Sequence, residues 1–324
     1  MRKIPASVAI LGLVGVGLVG CSLPGSTTCD RSDEADSTGL SGVTVSGMTD
    51  QVPKVELYTP FRSTSTQFED VAVGDGTQIT TDSQLIVLDL SITSGTTGDT
   101  LFATAYDGDL SGVASLSQWM QVVPGFEDAL MCAGEGSRVV VALPPGAIEP
   151  TTAASLALGG DDSAIAVIDV RKVYLSKADG ANEFNVGNGI PTVVRASDGR
   201  PGIIVPDAQP PTDLVAQTLK KGTGAEVIGD TPVRLHYTGL TWEDRAVFDT
   251  TWDADPKSID LDTTPDGFQK ALMGQTVGSQ VLVVIPPDEG YGDQPQGGIP
   301  ADSTLVFVVD ILGIDQPAAA AHVG

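Results

Sequence analysis

Apolar residues along this chain fall into two kinds of pattern. Near the start, Ile4 to Gly20 is an uncharged apolar run rich in Gly, Val and Leu. Further on, shorter apolar segments with strand character come in matching sets: Leu85 to Ile92 and Ile165 to Val173, then Val233 to Leu240 and Leu305 to Ile314. Inside each set lie a short amphipathic helix pattern, a Gly-Ser turn and an apolar strand ending in Pro-Pro. Residues 125–145 read GFEDALMCAGEGSRVVVALPP and residues 267–287 read GFQKALMGQTVGSQVLVVIPP, identical at eleven of 21 positions at a constant offset of 142. The repeat predicts two related domains, 51–176 and 201–316, each an antiparallel β-sheet wrapped on one short helix, an α+β fold. Two copies are too few for a solenoid.

The segments between these patterns read as connections. Residues 21–50 are rich in Ser, Thr, Gly and Asp and predict a flexible tether. Residues 177–200 carry Asp179-Gly180, Gly187-Asn188-Gly189 and Asp198-Gly199 and predict a linker; residues 317–324 form an Ala-rich tail. The first apolar run is short for a membrane span and follows Arg2 and Lys3, the layout of an export signal over residues 1–20. Leu18-Val19-Gly20-Cys21 resembles the bacterial lipoprotein signal. That resemblance implies a lipid on Cys21 and a protein held at the outer face of the cell membrane.

Charge narrows the function. The 324 residues carry 42 Asp and Glu against 17 Lys and Arg, a formal charge of −25. A chain this acidic repels a phosphate backbone, so nucleic acid is excluded as a partner, and basic patches for anionic lipid are not expected. With 38 Gly and 21 Pro, turns are frequent and a helical bundle is disfavoured. Apart from Cys21 the cysteines are Cys29 and Cys132; export permits a disulfide, and spacing alone leaves a bridge and two free thiols equally open. The histidines, His236 and His322, are far apart and have no cysteine nearby, so no metal and no cofactor is expected.

The second domain carries six short motifs in order: VRLHYTG at 233–239, VFDT at 247–250, PDGFQKAL at 265–272, PPDEGYG at 286–292, GIPA at 298–301 and STLVFVVD at 303–310. Together they resemble the FKBP-type peptidyl-prolyl cis-trans isomerases, the macrolide-binding immunophilins. The resemblance implies proline-containing polypeptide substrates, a macrolide ligand and a catalytic pocket without metal or cofactor. Residue by residue, Tyr237, Phe248, Phe268, Ile299 and Phe307 would line the proline pocket, with Phe268 as its floor. Asp249 would set a carboxylate beside the twisting amide, and Tyr291 would donate its hydroxyl to a substrate carbonyl. The residue types suit the chemistry. Rotation about a peptide C–N bond faces a barrier of ~18–20 kcal/mol, and a dry aromatic pocket favours the twisted, less polar amide over the planar one. His236, next to Tyr237 on a strand, is expected to face away from the pocket.

Two departures from the family pattern stand out. Pro265 occupies a position where the family uses a backbone N–H to hold ligand, and proline has none. In the first domain Leu90 replaces the strand Tyr, Ala103 the Asp and Ala166 the C-terminal Phe, while Phe102 matches Phe248 and the loop at Gly146 to Glu149 has no Tyr. That domain is expected to be inactive. The chain therefore reads as an isomerase that assists folding of exported proteins at the outer face of the membrane. The other reading is a non-catalytic lipoprotein whose FKBP-like scaffolds bind peptides or proteins.

Overall fold

The structure, a computed structural model, describes residue 29, residues 37–184 and residues 187–316. The export signal, the Cys21 lipidation site and the 317–324 tail lie outside the described residues. Two antiparallel sheets dominate. In the first, Gln67–Ala72, Arg138–Leu143, Ala164–Val173, Leu85–Ser94 and Thr100–Ala103 lie side by side in that order. In the second the order is Val247–Thr250, Val233–Thr241, Leu305–Ile314, Gln280–Ile285, Val215–Lys221 and Ala181–Asn182, with Lys257–Ile259 also paired to Val233–Thr241. The pairing is alike in the two sheets: Val141 faces Ala166 in one as Val283 faces Phe307 in the other.

The central strands are apolar on both faces because each sheet is covered on both. Along Leu305–Ile314, Leu305, Phe307, Val309 and Ile311 join the helix-side core, while Val306 and Val308 join a second cluster behind the sheet. The helix-side cover is Asp266–Leu272, whose buried Phe268, Ala271 and Leu272 fall at i, i+3 and i+4. Gly267 lets the helix approach closely, since a Cβ there would lie 2.6 Å from the Ile285 side chain. The first half carries three short helices where one was expected: Leu116–Val122, Phe126–Leu130 and Pro150–Ser155.

The cover behind each sheet is a β-hairpin that composition disguised. Val43–Ser46 pairs with Lys54–Leu57, and Leu40, Val43, Val45 and Val55 pack on Val140, Ala142, Ile165 and Val167. Residues 37–50, assigned to the flexible tether, are thus folded onto the first sheet. Thr192–Arg195 pairs with Pro201–Ile204, and Ile190, Val193, Ile203 and Val205 pack on Leu282, Val284, Val306 and Val308. The described part of the 177–200 linker is likewise an ordered layer: Ala178 N–H donates to Asp310 at 2.8 Å and Gly180 N–H to Gly278 O at 3.0 Å.

Each hairpin is tied to its sheet by an arginine. In the first half, Arg138 pairs with Asp169 at 2.7 Å and donates to the carbonyls of Gly47, Met48 and Gln51 in the hairpin turn. In the second half Gln280 stands at the Arg138 position, and Arg195 reaches it from the hairpin at 2.6 Å. Gln280 donates in turn to Asp310, whose carboxyl burial pushes up to about 6. Cys29 and Cys132 are disulfide-bonded, with Cα atoms 5.2 Å apart, which resolves the alternative that the spacing left open.

Candidate active site

Four strands, one short helix and the adjoining loops of the second half surround one open cavity of about 270 Å³. Tyr237, Phe248, Asp249, Phe268, Tyr291, Ile299 and Phe307, scattered over seventy residues of sequence, all line it. Phe307 is the hub. It makes edge-to-face contacts with Phe268 at 5.0 Å, Phe248 at 5.5 Å and Tyr237 at 6.2 Å between ring centroids. Such pairs are worth ~0.5–1.5 kcal/mol each beyond the area they bury. Phe268 comes up from the helix, and Tyr237 and Phe307 from paired strands. Ile299 is carried by a two-residue turn, Gly297-Gly298, with both residues at positive φ and reciprocal backbone hydrogen bonds between Gln296 and Ile299.

Gly239 keeps the cavity open. It faces both Phe307 and Asp249 on neighbouring strands, and a Cβ there would lie 2.6 Å from the Phe307 ring and 2.7 Å from the Phe248 ring.

The polar edge is a small network. The Tyr237 hydroxyl donates to Asp249 Oδ2 at 2.5 Å, and Lys257 Nζ lies 3.1 Å from both that oxygen and the hydroxyl. Burial alone would raise the Asp249 carboxyl, but the Tyr237 hydrogen bond and the Lys257 ammonium outweigh it and hold the carboxyl below its ordinary range. Burial, with the Asp249 charge adding to it, pushes the Tyr291 phenol up. Among the described residues the Tyr291 hydroxyl has no hydrogen-bond partner in the protein, so it is free to donate. The wall is completed by Ile259, Thr264, Pro265 and Gln296, which sequence reasoning did not assign to the site, Pro265 excepted. Lys257 was missed altogether, because nothing in the sequence Pro256-Lys257-Ser258 marks a lysine whose ammonium lies over a tyrosine of the neighbouring strand.

His236 lies on the opposite side of its strand. Its ring stacks on Trp252 at 4.4 Å, Nδ1 hydrogen-bonds the Thr251 hydroxyl at 2.8 Å, and burial, with the Arg200 charge, pushes the imidazole down to about 4.

A model of the FKBP-type peptidyl-prolyl cis-trans isomerase family matches residues 224–312, the segment that builds this cavity. A probable FK506-binding protein of Corynebacterium glutamicum is 33% identical over 114 residues, covering 35% of this chain and 97% of that protein. The chain belongs to the FKBP-type peptidyl-prolyl cis-trans isomerases. As a member it is an isomerase of X-Pro peptide bonds, and its substrates are proline-containing. The FKBP-type isomerase FkpA of Aeromonas hydrophila is 36% identical over 107 residues, covering 33% of this chain but only 40% of that protein. The crystal structure of FkpA from Escherichia coli is 30% identical, covers 41% of this chain and 55% of that one, and superposes with a TM-score of 0.32.

The first half repeats the strand order of the second, but among the described residues its corresponding side chains close up where the second half has the cavity. Ile92 faces Ala166 where Gly239 faces Phe307, and its side chain fills the space that the glycine leaves. Leu90, Ile92, Phe126, Ile148 and Ala166 form one closed core. The strand register also corrects one equivalence. Phe102 faces Ile92 as Asp249 faces Gly239, so Phe102 stands at the Asp249 position and Leu101 at that of Phe248. Phe102 is 42% exposed.

Proposed function

We propose that isomerisation takes place in the cavity around Phe307. The observation that carries this is the convergence of seven residues from six separate motifs on one 270 Å³ space that a prolyl ring fits. Phe268, Phe307, Phe248 and Ile299 hold the proline by apolar contact on a wall that is already formed in the free protein. The amide to be twisted then lies against this apolar wall, away from the water that favours its charge-separated planar form. Twisting makes the carbonyl ketone-like and the nitrogen pyramidal. Asp249, ionised, supplies a fixed negative charge at the cavity edge, and the Tyr291 hydroxyl donates to a carbonyl of the bound peptide and fixes its orientation. No covalent bond forms with the protein, so binding that favours the twisted amide is the whole of the catalysis.

The setting of this activity is proposed from the N-terminal sequence: export, lipidation at Cys21 and attachment at the outer face of the membrane, where the enzyme assists exported proteins held up by slow prolines. Labelled palmitate incorporated by the wild type and lost in Cys21→Ser supports the anchor; incorporation unchanged by that substitution overturns it. An FK506-type macrolide is a proposed ligand of the same cavity.

The deciding experiment for the site is Phe248→Ala in the full chain, assayed on a proline tetrapeptide. The catalysed rate is expected to fall at least tenfold with the fold intact; an unchanged rate overturns the assignment.

A further inference from the structure

The two halves meet beside the active cavity, at the ends of their last strands. Tyr174, which follows Ala164–Val173, is 1% exposed, and its hydroxyl donates to Asp315 Oδ1 at 2.6 Å. Its ring is flanked by Lys172 Nζ at 5.1 Å and the Arg234 guanidinium at 5.2 Å. Gly313 makes room for it, since a Cβ there would lie 2.5 Å from the ring. Lys172 Nζ donates to Ile314 O, and Leu175 N–H to Leu312 O. A residue of the first half is therefore built into the end of the second half's central strand.

The Asp315 carboxylate has further partners. Arg234 donates to its Oδ2 at 2.8 Å, and the Ser258 hydroxyl donates to the same oxygen. Ser258 is the middle residue of Lys257–Ile259, a three-residue strand that among the described residues pairs only with the start of Val233–Thr241. Its two neighbours are functional parts of the cavity: Ile259 lines the wall, and Lys257 holds Asp249 and the Tyr237 hydroxyl. A strand this short has little stability of its own and takes its position from what its side chains grip.

Given that the cavity is the catalytic site, we propose that the first half is a brace for it. Tyr174, through Asp315 and Ser258, sets the Lys257–Ile259 wall against the bound substrate. Tyr174, Asp315 and Ser258 are positioning residues; none touches the peptide. This gives the half that has lost its own pocket a role in the activity of the other.

The test compares kcat and KM of the full chain with Tyr174→Phe, Ser258→Ala and the double variant in a protease-coupled assay on a proline tetrapeptide. Tyr174→Phe and Ser258→Ala are each expected to raise KM three- to tenfold with kcat within twofold of wild type. The double variant should be no worse than about the poorer single, because both act through one carboxylate. An unchanged KM in Tyr174→Phe, even with a lowered melting temperature, overturns the brace, as does a double variant whose effects multiply. Phe248→Ala runs alongside. If it abolishes the rate while KM ignores Tyr174 and Ser258, the brace fails and the site stands. If Phe248→Ala leaves the rate intact, the site assignment fails and the brace with it.

Discussion

Gly239 and Phe307 face each other across neighbouring strands, and the absence of a side chain on the first is what leaves room for the ring of the second. A single methyl at 239 would sit 2.6 Å from Phe307, closer than packed carbons approach. Gly239→Ala is therefore expected to cut kcat/KM at least tenfold, mainly by displacing Phe248 and Phe307. Gly239→Ile, which copies the first half, should abolish activity. Rates on a proline peptide and near-ultraviolet circular dichroism of the aromatic cluster check this together.

The first half contributes no catalysis of its own if its core is as closed as Ile92, Ile148 and Ala166 make it. Full-length protein with Phe248→Ala and Tyr291→Ala together should then isomerise proline peptides no faster than the solvent background. Residual catalysis that survives both substitutions would locate a second site in residues 51–176.

Asp249 is held ionised by the Tyr237 hydroxyl and Lys257, so the acid limb of the kcat/KM profile should lie below the ordinary carboxylate range. Lys257→Met removes the cation that favours the charged form. The limb should move to higher pH, with the plateau above it reduced by a factor of a few. A limb that stays in place in the variant shows that Asp249 is not the group being titrated.

His236 is buried neutral against Trp252, with its imidazole pushed down to about 4 from an ordinary 6.5. Between those two values the unfolded chain binds a proton that the folded one does not. Stability from this residue is complete above pH 6.5 and is lost as pH falls towards 4, by as much as about 3 kcal/mol. Asp310, with its carboxyl raised to about 6, contributes in the opposite sense over part of this range, so the His236 contribution is read as a difference: the urea midpoint of wild type should fall relative to that of His236→Gln as pH goes from 7 to 4.

Pro265 lines the cavity with φ −55° and ψ 145°, a conformation that any residue adopts. Pro265→Val would add an N–H at that wall without disturbing the Phe268 N–H to residue 265 carbonyl bond. One added hydrogen bond is worth ~0.5–1.5 kcal/mol, so macrolide affinity measured by calorimetry should rise about three- to tenfold.

The cavity was legible in the sequence because its residues belong to short motifs whose identity survives isolation: Tyr237, Phe248-Asp249, Phe268 and Tyr291 are each flanked by recognisable neighbours. Lys257 was not, since its part depends on a strand pairing of three residues that no local pattern announces. The two covering hairpins escaped for a related reason. Val43, Val45 and Val55, or Val193 and Ile203, are isolated valines and isoleucines among Gly, Ser, Thr and Asp, and they acquire meaning only against the sheet that they shield. The first half's missing pocket side chains were legible in the sequence, whereas Ile92, which stands where Gly239 stands in the second half, was seen only once strand register placed it opposite Ala166.

The Cys29–Cys132 disulfide bears on reach. Composition alone suggested thirty residues of leash between Cys21 and the first domain, a contour of about 100 Å. The bridge ties position 29 directly to the domain across a separation of 103 residues in sequence. With a lipid on Cys21 as proposed, eight residues of chain would remain, which span at most about 28 Å. The domain would then ride within one bilayer thickness of the membrane surface and meet its clients as they emerge, with a search volume smaller than the longer leash allows by the cube of their ratio. Reduction of one bond would lengthen the leash and release the enzyme outward without cutting the chain.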